Sequence, residues 1–234
     1  MREREVKIVG HRGAMAAWPE NTIAGIEAAL EQGADGVEID IWCHESGRLL
    51  VFHDPTLERT TGAQGSIEST PFDTLRALDA GRGEQIPLLE EVLALTNARC
   101  ELNIELKGPN TGFGLARFLD QNTWVDRDAL LLSSFKLEEL AVVQREISEV
   151  RRGVLVSKPE DGVWGEIERL GAYSLHPHFR HTNSDTIARA RDAGVEVYVW
   201  TVNDPEDGQR LAALGVSALI TDVPGQMCRS LSGQ

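Results

Sequence analysis

Residues 37–52 read VEIDIWCHESGRLLVF. Two β-rich runs, 37–41 and 49–52, stand here with only a short polar turn between them. Outward from this pair, runs of the same kind occupy 6–9, 102–106, 129–132, 153–156, 172–175, 195–199 and 218–220. Helical patterns lie between several of them, at 22–31, 88–95, 137–147, 185–193 and 205–214. Several helical stretches stop near a glycine (Gly33, Gly171, Gly194, Gly215) that leads into the next run, as a helix does before a βα repeat resumes. Strand and helix alternating through short connections imply a parallel sheet with right-handed crossovers. A closed barrel and an open doubly wound sheet share that rhythm. The count separates them. Nine strands, two of them joined without a helix, leave eight βα units, the number that closes a (β/α)8 barrel.

The length suits this reading: such barrels run to about 250 residues, and the chain has 234. A single α/β TIM-barrel domain over 1–234 is therefore expected. One segment breaks the rhythm. Residues from about 55 to 85 are rich in Thr, Gly and Asp, show little periodicity, and read as an insertion or lid beside the second strand. The three cysteines lack paired spacing and read as buried thiols rather than a disulfide framework. The segment MREREVKIVG has no apolar signal core, and no long uncharged apolar run occurs, so a cytoplasmic location without membrane insertion is expected. A formal net charge of −14 repels nucleic acid and anionic lipid surfaces, which counts against both as partners. It also repels anionic substrates at long range. A phosphate ester would need positive charge concentrated locally by Lys, Arg or a metal ion.

In a barrel the strand C-termini carry the site. The first strand runs into His11, Arg12 and Gly13, an acid/base group beside an anion clamp. In the second, Glu38 and Asp40 alternate and so share a face. Parallel barrel strands are normally apolar on both faces. Two inward carboxylates repel, and burying them is costly unless a cation lies between them. Their oxygens suit a hard divalent ion such as Mg²⁺ or Ca²⁺. Glu105 and Lys107 share a face at the end of 102–106; they read either as a third ligand with a phosphate contact or as a structural ion pair. His53 follows the extra strand, and two histidines can divide general-base and general-acid roles across one phosphorus. Trp200 is an apolar wall for a glycerol backbone or a core filler. Asp222 reads as fixing the closing turn. His176, His178 and His181 follow the run 172–175 without metal-ligand spacing, His176 near the mouth. His44 reads as solvated in a polar turn. The glycine pairs at 62 and 65 and at 81 and 83 lack the strand-to-helix setting of a phosphate loop, and no G-x-S-x-G elbow occurs.

Taken in order, HRG at 11–13, PENT at 19–22, GVEID at 36–40, HD at 53–54, ERTT at 58–61, NIELK at 103–107, WTVN at 200–203 and TDVP at 221–224 resemble the glycerophosphodiester phosphodiesterases. Each motif alone is weak. The ordered set spans nearly the whole chain and is specific. The resemblance implies a β/α barrel that hydrolyses glycerophosphodiesters to an alcohol and sn-glycerol 3-phosphate. It implies His11 and His53 as the acid/base pair, and Glu38, Asp40 and Glu105 as ligands of one divalent cation, Mg²⁺ or Ca²⁺. It implies Arg12 and Lys107 on the phosphate, and the stretch after His53 as the family's insertion. Glu20 lies in a family motif near the pocket and joins Trp200 as a pocket candidate. One departure is the turn His44-Glu45-Ser46-Gly47, where the family more often has Lys-Asp-Gly. The glycine is kept and the turn is distal to the chemistry. The expected route is attack by the glycerol 2-hydroxyl, giving a cyclic phosphate that water opens. Direct attack by water would use the same residues.

Three other readings compete. An enzyme directed at lysophospholipids on the same scaffold needs an apolar groove or membrane-facing patch, and no such run is present. A metal-dependent sugar isomerase barrel would not need Arg12 and Lys107 to converge on phosphate. A non-catalytic barrel that binds glycerophosphodiesters would need the cation and the basic residues but neither histidine. No motif bears on oligomeric state.

Overall fold

The computed structural model describes residues 6–232, so the ends of the expected 1–234 domain and the first five residues of the N-terminal segment lie outside it. Nine strands form one sheet: β1 (Lys7–His11), β2 (Gly36–Cys43), β3 (Leu49–Val51), β4 (Glu101–Leu106), β5 (Leu130–Ser134), β6 (Arg151–Val156), β7 (Ser174–Pro177), β8 (Glu196–Val199) and β9 (Ala218–Thr221). Eight are parallel, and pairing of β1 with both β9 and β2 closes them into a TIM barrel. The exception is β3, which runs antiparallel on the end of β2, Ile41 opposite Val51. The helix-free pair at 37–52 is therefore a hairpin, and it leaves the barrel count at eight.

Around the barrel run α1 (Ile23–Glu31), α2 (Glu58–Thr61), α3 (Phe72–Ala77), α4 (Leu89–Thr96), α5 (Thr111–Gln121), α6 (Leu137–Glu146), α7 (Asp161–Leu170), α8 (Ser184–Asp192), α9 (Pro205–Leu214) and α10 (Pro224–Leu231). The periodicity above does not single out α5, α7 or α10. Gly112 and Gly114 lower the intrinsic preference of α5 for helix. Close packing overrides that cost: a Cβ on Gly112 would lie 2.8 Å from Glu139 O, and one on Gly114 would lie 2.9 Å from Cys43 Sγ.

The alternation along the strands sorts side chains between two layers. Ile39, Ile104 and Leu132 face the helices and are fully buried there. The residues between them face the barrel interior. The register sets His11 beside Glu38, Glu38 beside Asn103, Asp40 beside Glu105, and Glu105 beside Ser133. One arc of the interior, toward the strand C-termini, is thus polar.

The segment at 55–85 is more ordered than its composition suggests. It holds α2 and α3 and has its own apolar centre, where Leu57, Ile67 and Leu75 pack with Leu50 and Phe52 of the hairpin. Helices of four and six residues are too short to print a period on the sequence. His44 is not solvated: it is 3% exposed, with Nδ1 2.7 Å from Ser46 Oγ and Nε2 2.9 Å from Thr70 O. It pins the hairpin turn to the inserted segment. His176 does not follow its strand at the mouth but lies within β7, fully buried and stacked on Tyr198 at 5.1 Å. Burial drives its pKa down to about 3, so it is a neutral core side chain.

Candidate active site

The end of β1 turns sharply. Arg12 has φ +50 and Gly13 φ +89, and a Cβ on Gly13 would lie 2.5 Å from the Gly25 backbone. Only glycine fits at 13. The turn aims the Arg12 N–H at Glu38 Oε2, 3.0 Å away. Asn21, at φ +56, brackets Asp40: its Nδ2 donates to Asp40 Oδ2 at 2.8 Å and its Oδ1 accepts from the Asp40 N–H at 3.2 Å.

Glu38, Asp40 and Glu105 converge so that one oxygen from each lies within 4.8 Å of the others. Asp40 is 1% exposed, and its Oδ1 has no hydrogen bond although Lys107 Nζ stands 3.6 Å away. Lys107 donates instead to Glu105 Oε1 at 2.7 Å. Arg12 donates from Nη1 to Glu20 Oε1 at 3.0 Å and sets Nε 3.1 Å from Asp40 Oδ2. Burial, followed by the charges of Asp40 and Glu105, holds the Glu38 carboxyl well above the usual range. Burial and Asp40 push Glu105 up to about 7. Burial alone would raise Asp40, but Arg12 and Lys107 outweigh it and hold its pKa low. Burial would lower Arg12 and Lys107, and the surrounding carboxylates raise both. Two buried carboxylates and a partly buried third, two of the three reluctant to ionise and one with an unbonded oxygen, fit a divalent cation with oxygen ligands.

Both histidines line the same cleft as Glu38, Glu105 and Lys107, a space of about 160 Å³ that opens to solvent. Each is anchored by a carboxylate through Nδ1: His11 to Asp222 Oδ1 at 2.6 Å, and His53 to Asp54 Oδ1 at 2.6 Å. Asp222 does tie down the closing turn, since its N–H donates to Asn203 Oδ1 at 2.9 Å while its Oδ2 accepts from Asn203 Nδ2 at 2.6 Å. Its second partner, His11, is 211 positions away in sequence. Burial opposes ionisation of Asp222, but the bonds to His11 and Asn203 keep its pKa below the usual carboxylate range. Asp54 is drawn down to about 2, first by Arg59 and also by His53. Two ionised acceptors make Nδ1 the protonated nitrogen of each ring and leave each Nε2 available to the cleft. Burial lowers the His53 pKa; Asp40 pulls against it and Arg12 adds to it.

Trp200 lines the opposite wall, fixed by its Nε1 donating to His176 O at 2.8 Å and packed edge-on against Phe135 at 5.5 Å. Glu20 lies behind Arg12, paired also with Arg59, and borders a neighbouring groove with Trp18 and Arg82 rather than the cleft. Asn103, Ser133 and Phe135 also line the cleft. Asn103 opens the NIELK stretch, which assigns it no role by itself; strand pairing brings it beside Glu38 and brings Ser133, which no local signal marks, beside Glu105.

Residues 11–226 match the model of the glycerophosphoryl diester phosphodiesterase family. A glycerophosphodiester phosphodiesterase of Caldanaerobacter subterraneus subsp. tengcongensis is 33% identical over 230 residues, covering 93% of this chain and 94% of that one. An Oleispira antarctica phosphodiesterase, solved in complex with the product sn-glycerol-3-phosphate, superposes with a TM-score of 0.90 at 30% identity over 97% of each chain. The glycerophosphodiester phosphodiesterase of Thermotoga maritima superposes with a TM-score of 0.80 at 26% identity, covering 97% of this chain and 99% of that one. With a family match across most of the barrel and a relative of this likeness over nearly its full length, the chain belongs to the glycerophosphoryl diester phosphodiesterase family.

Proposed function

We propose that this enzyme hydrolyses glycerophosphodiesters to an alcohol and sn-glycerol 3-phosphate, with His11 and His53 as its general acid/base pair. One observation carries the reading: two histidines, each backed by a carboxylate at 2.6 Å, open on one cleft with the acidic cluster. The product held by the Oleispira relative supports the same substrate class. Glu38, Asp40 and Glu105 hold one divalent cation, Mg²⁺ or Ca²⁺. When bound, the cation supplies positive charge against the phosphate oxygens.

Arg12 and Lys107 contribute further positive charge to the phosphate. A chain of net charge −14 needs this local reversal to receive an anionic diester. One histidine takes the proton of the glycerol 2-hydroxyl as that oxygen bonds to phosphorus. The other gives a proton to the departing alcohol oxygen as its bond to phosphorus breaks. The product of this step is a cyclic phosphate. Water then opens it, with the histidines exchanging roles. Trp200 walls the glycerol side, and Glu20 sets the position of Arg12. Among the described residues no helix is long and apolar enough to cross a membrane.

The test is release of sn-glycerol 3-phosphate from glycerophosphocholine by metal-stripped protein, with Mg²⁺ or Ca²⁺ added back. Release that depends on the ion is the expected result. No release with either ion, from the choline, ethanolamine, glycerol or inositol diesters, would sink the reading. A diester with hydrogen in place of the 2-hydroxyl tests the route: full turnover of it would exclude the cyclic phosphate.

A further inference from the structure

Asn103 of β4 and Ser133 of β5 face the barrel interior at the floor of the cleft. Asn103 is 1% exposed and Ser133 fully buried, yet Asn103 Oδ1 and Ser133 Oγ have no hydrogen-bond partner among the described residues. An unpaired buried polar group costs about 1–3 kcal/mol, and native interiors hold few of them. The adjacent residue makes the contrast. Ser134 is equally buried but faces the other way, and its Oγ donates to Leu106 O at 2.7 Å. The unpaired atoms on β4 and β5 are thus on the cleft side. Their strand neighbours Glu38 and Glu105 belong to the acidic cluster, while Leu155, Ile220 and Trp200 give the same cleft its apolar lining.

We propose that Asn103 and Ser133 form a subsite for the terminal hydroxyl of the substrate's glycerol unit, so that they select glycerol as the alcohol kept on the phosphate. This rests on the reading under Proposed function and extends it from reaction to specificity. An alcohol suits the pair: its O–H donates to Asn103 Oδ1 while its oxygen accepts from Ser133 Oγ–H. The carbon chain then lies on Leu155, Ile220 and Trp200. Register places Ser133 beside Glu105, so the subsite adjoins the acidic cluster, and Asn103 stands one inward position deeper on β4. The departing alcohol is left on the open side of the cleft, where Phe135 is 45% exposed. Selection therefore falls on the glycerol end.

The experiment compares kcat/KM for glycerophosphocholine with that for the diester whose terminal glycerol hydroxyl is replaced by hydrogen. It uses full-length wild type, Ser133→Ala, Asn103→Leu and the double variant. Wild type is expected to prefer the glycerol diester by about 10- to 100-fold, since a site built to bond a hydroxyl is left with unpaired groups by the analogue. Each single variant is expected to cut the preference several-fold, and the double variant to bring it near one. The preference is a ratio read on one preparation, so a partly misfolded variant still reports it. A wild-type ratio near one overturns the subsite. So do variants that lose activity on both diesters equally. Wild type that cleaves neither diester overturns the underlying function as well, which the metal add-back assay reads separately.

Discussion

A carboxylate stands behind each histidine, and this pairing sets what single residues are expected to do. His11→Ala or His53→Ala should each lower kcat by about 10²–10⁴, the usual cost of removing a general acid or base. Steady-state kinetics at saturating substrate and metal would check this; near-normal turnover would remove that residue from the mechanism. Asp222→Asn is the more discriminating change. It puts an amide where an ionised acceptor held the Nδ1 proton at 2.6 Å. The amide can donate to Nδ1 and so turn the proton to Nε2, the wrong tautomer for a base. We expect kcat to fall by about 10²–10⁴ and the pH–rate profile to move, with metal affinity unchanged. A loss under about tenfold, with an unmoved profile, would leave Asp222 only its role in the turn with Asn203.

At the scale of elements, the inserted segment reaches the chemistry through α2. Arg59 of that helix donates to both oxygens of Asp54 and both oxygens of Glu20. It therefore links the His53 anchor to the side chain that positions Arg12. Arg59 is the first cause of the low Asp54 pKa of about 2, against an ordinary 3.8. A group with a depressed pKa stays ionised until the pH falls through that value. In Arg59→Ala the Asp54 carboxyl should take up its proton at higher pH, so the acid-side loss of activity should begin earlier. Activity measured from pH 3.5 to 7 would show it. Superimposable profiles would mean that α2 only braces the fold. The coupling explains why a segment with its own apolar centre packs on the β2–β3 hairpin, whose end carries His53.

Over the whole molecule, the raised Glu105 carboxyl is expected to cost the metal-free barrel stability at neutral pH. Glu105 has a folded pKa of about 7 against an ordinary 4.5. A carboxyl raised in the folded state contributes fully below its unfolded pKa and loses that contribution as pH rises through its folded one. The window here is about pH 4.5–7. Glu105→Gln, which mimics the protonated form, should match metal-free wild type near pH 4. Above pH 7 it should be more stable, by roughly 3 kcal/mol at most. Urea denaturation at both pH values would check the sign. Adding Mg²⁺ or Ca²⁺ should stabilise wild type above pH 7 and stabilise the variant less. Equal stability of the two proteins above pH 7 would show that Glu105 is not strained by its neighbours.

The barrel and most of the acidic cluster were legible in the order of residues alone. The hairpin at 37–52 settled the strand count, because a helix-free pair is a local pattern. Alternation placed Glu38 with Asp40, and Glu105 with Lys107, because side chains two apart on a strand share a face. His11 and His53 stood at strand ends and so pointed to the mouth. What lay beyond reach were relations between distant strands and the effects of burial. The Asp222–His11 bond, the deep seat of His176, the burial of His44 and the unpaired floor of Asn103 and Ser133 all depend on which strands or loops become neighbours. Helix α5 escaped for a related reason: its glycines look unfavourable locally and are favourable only against Glu139 and Cys43. Periodicity reports an element's own faces. Closure of the barrel decides what each face meets.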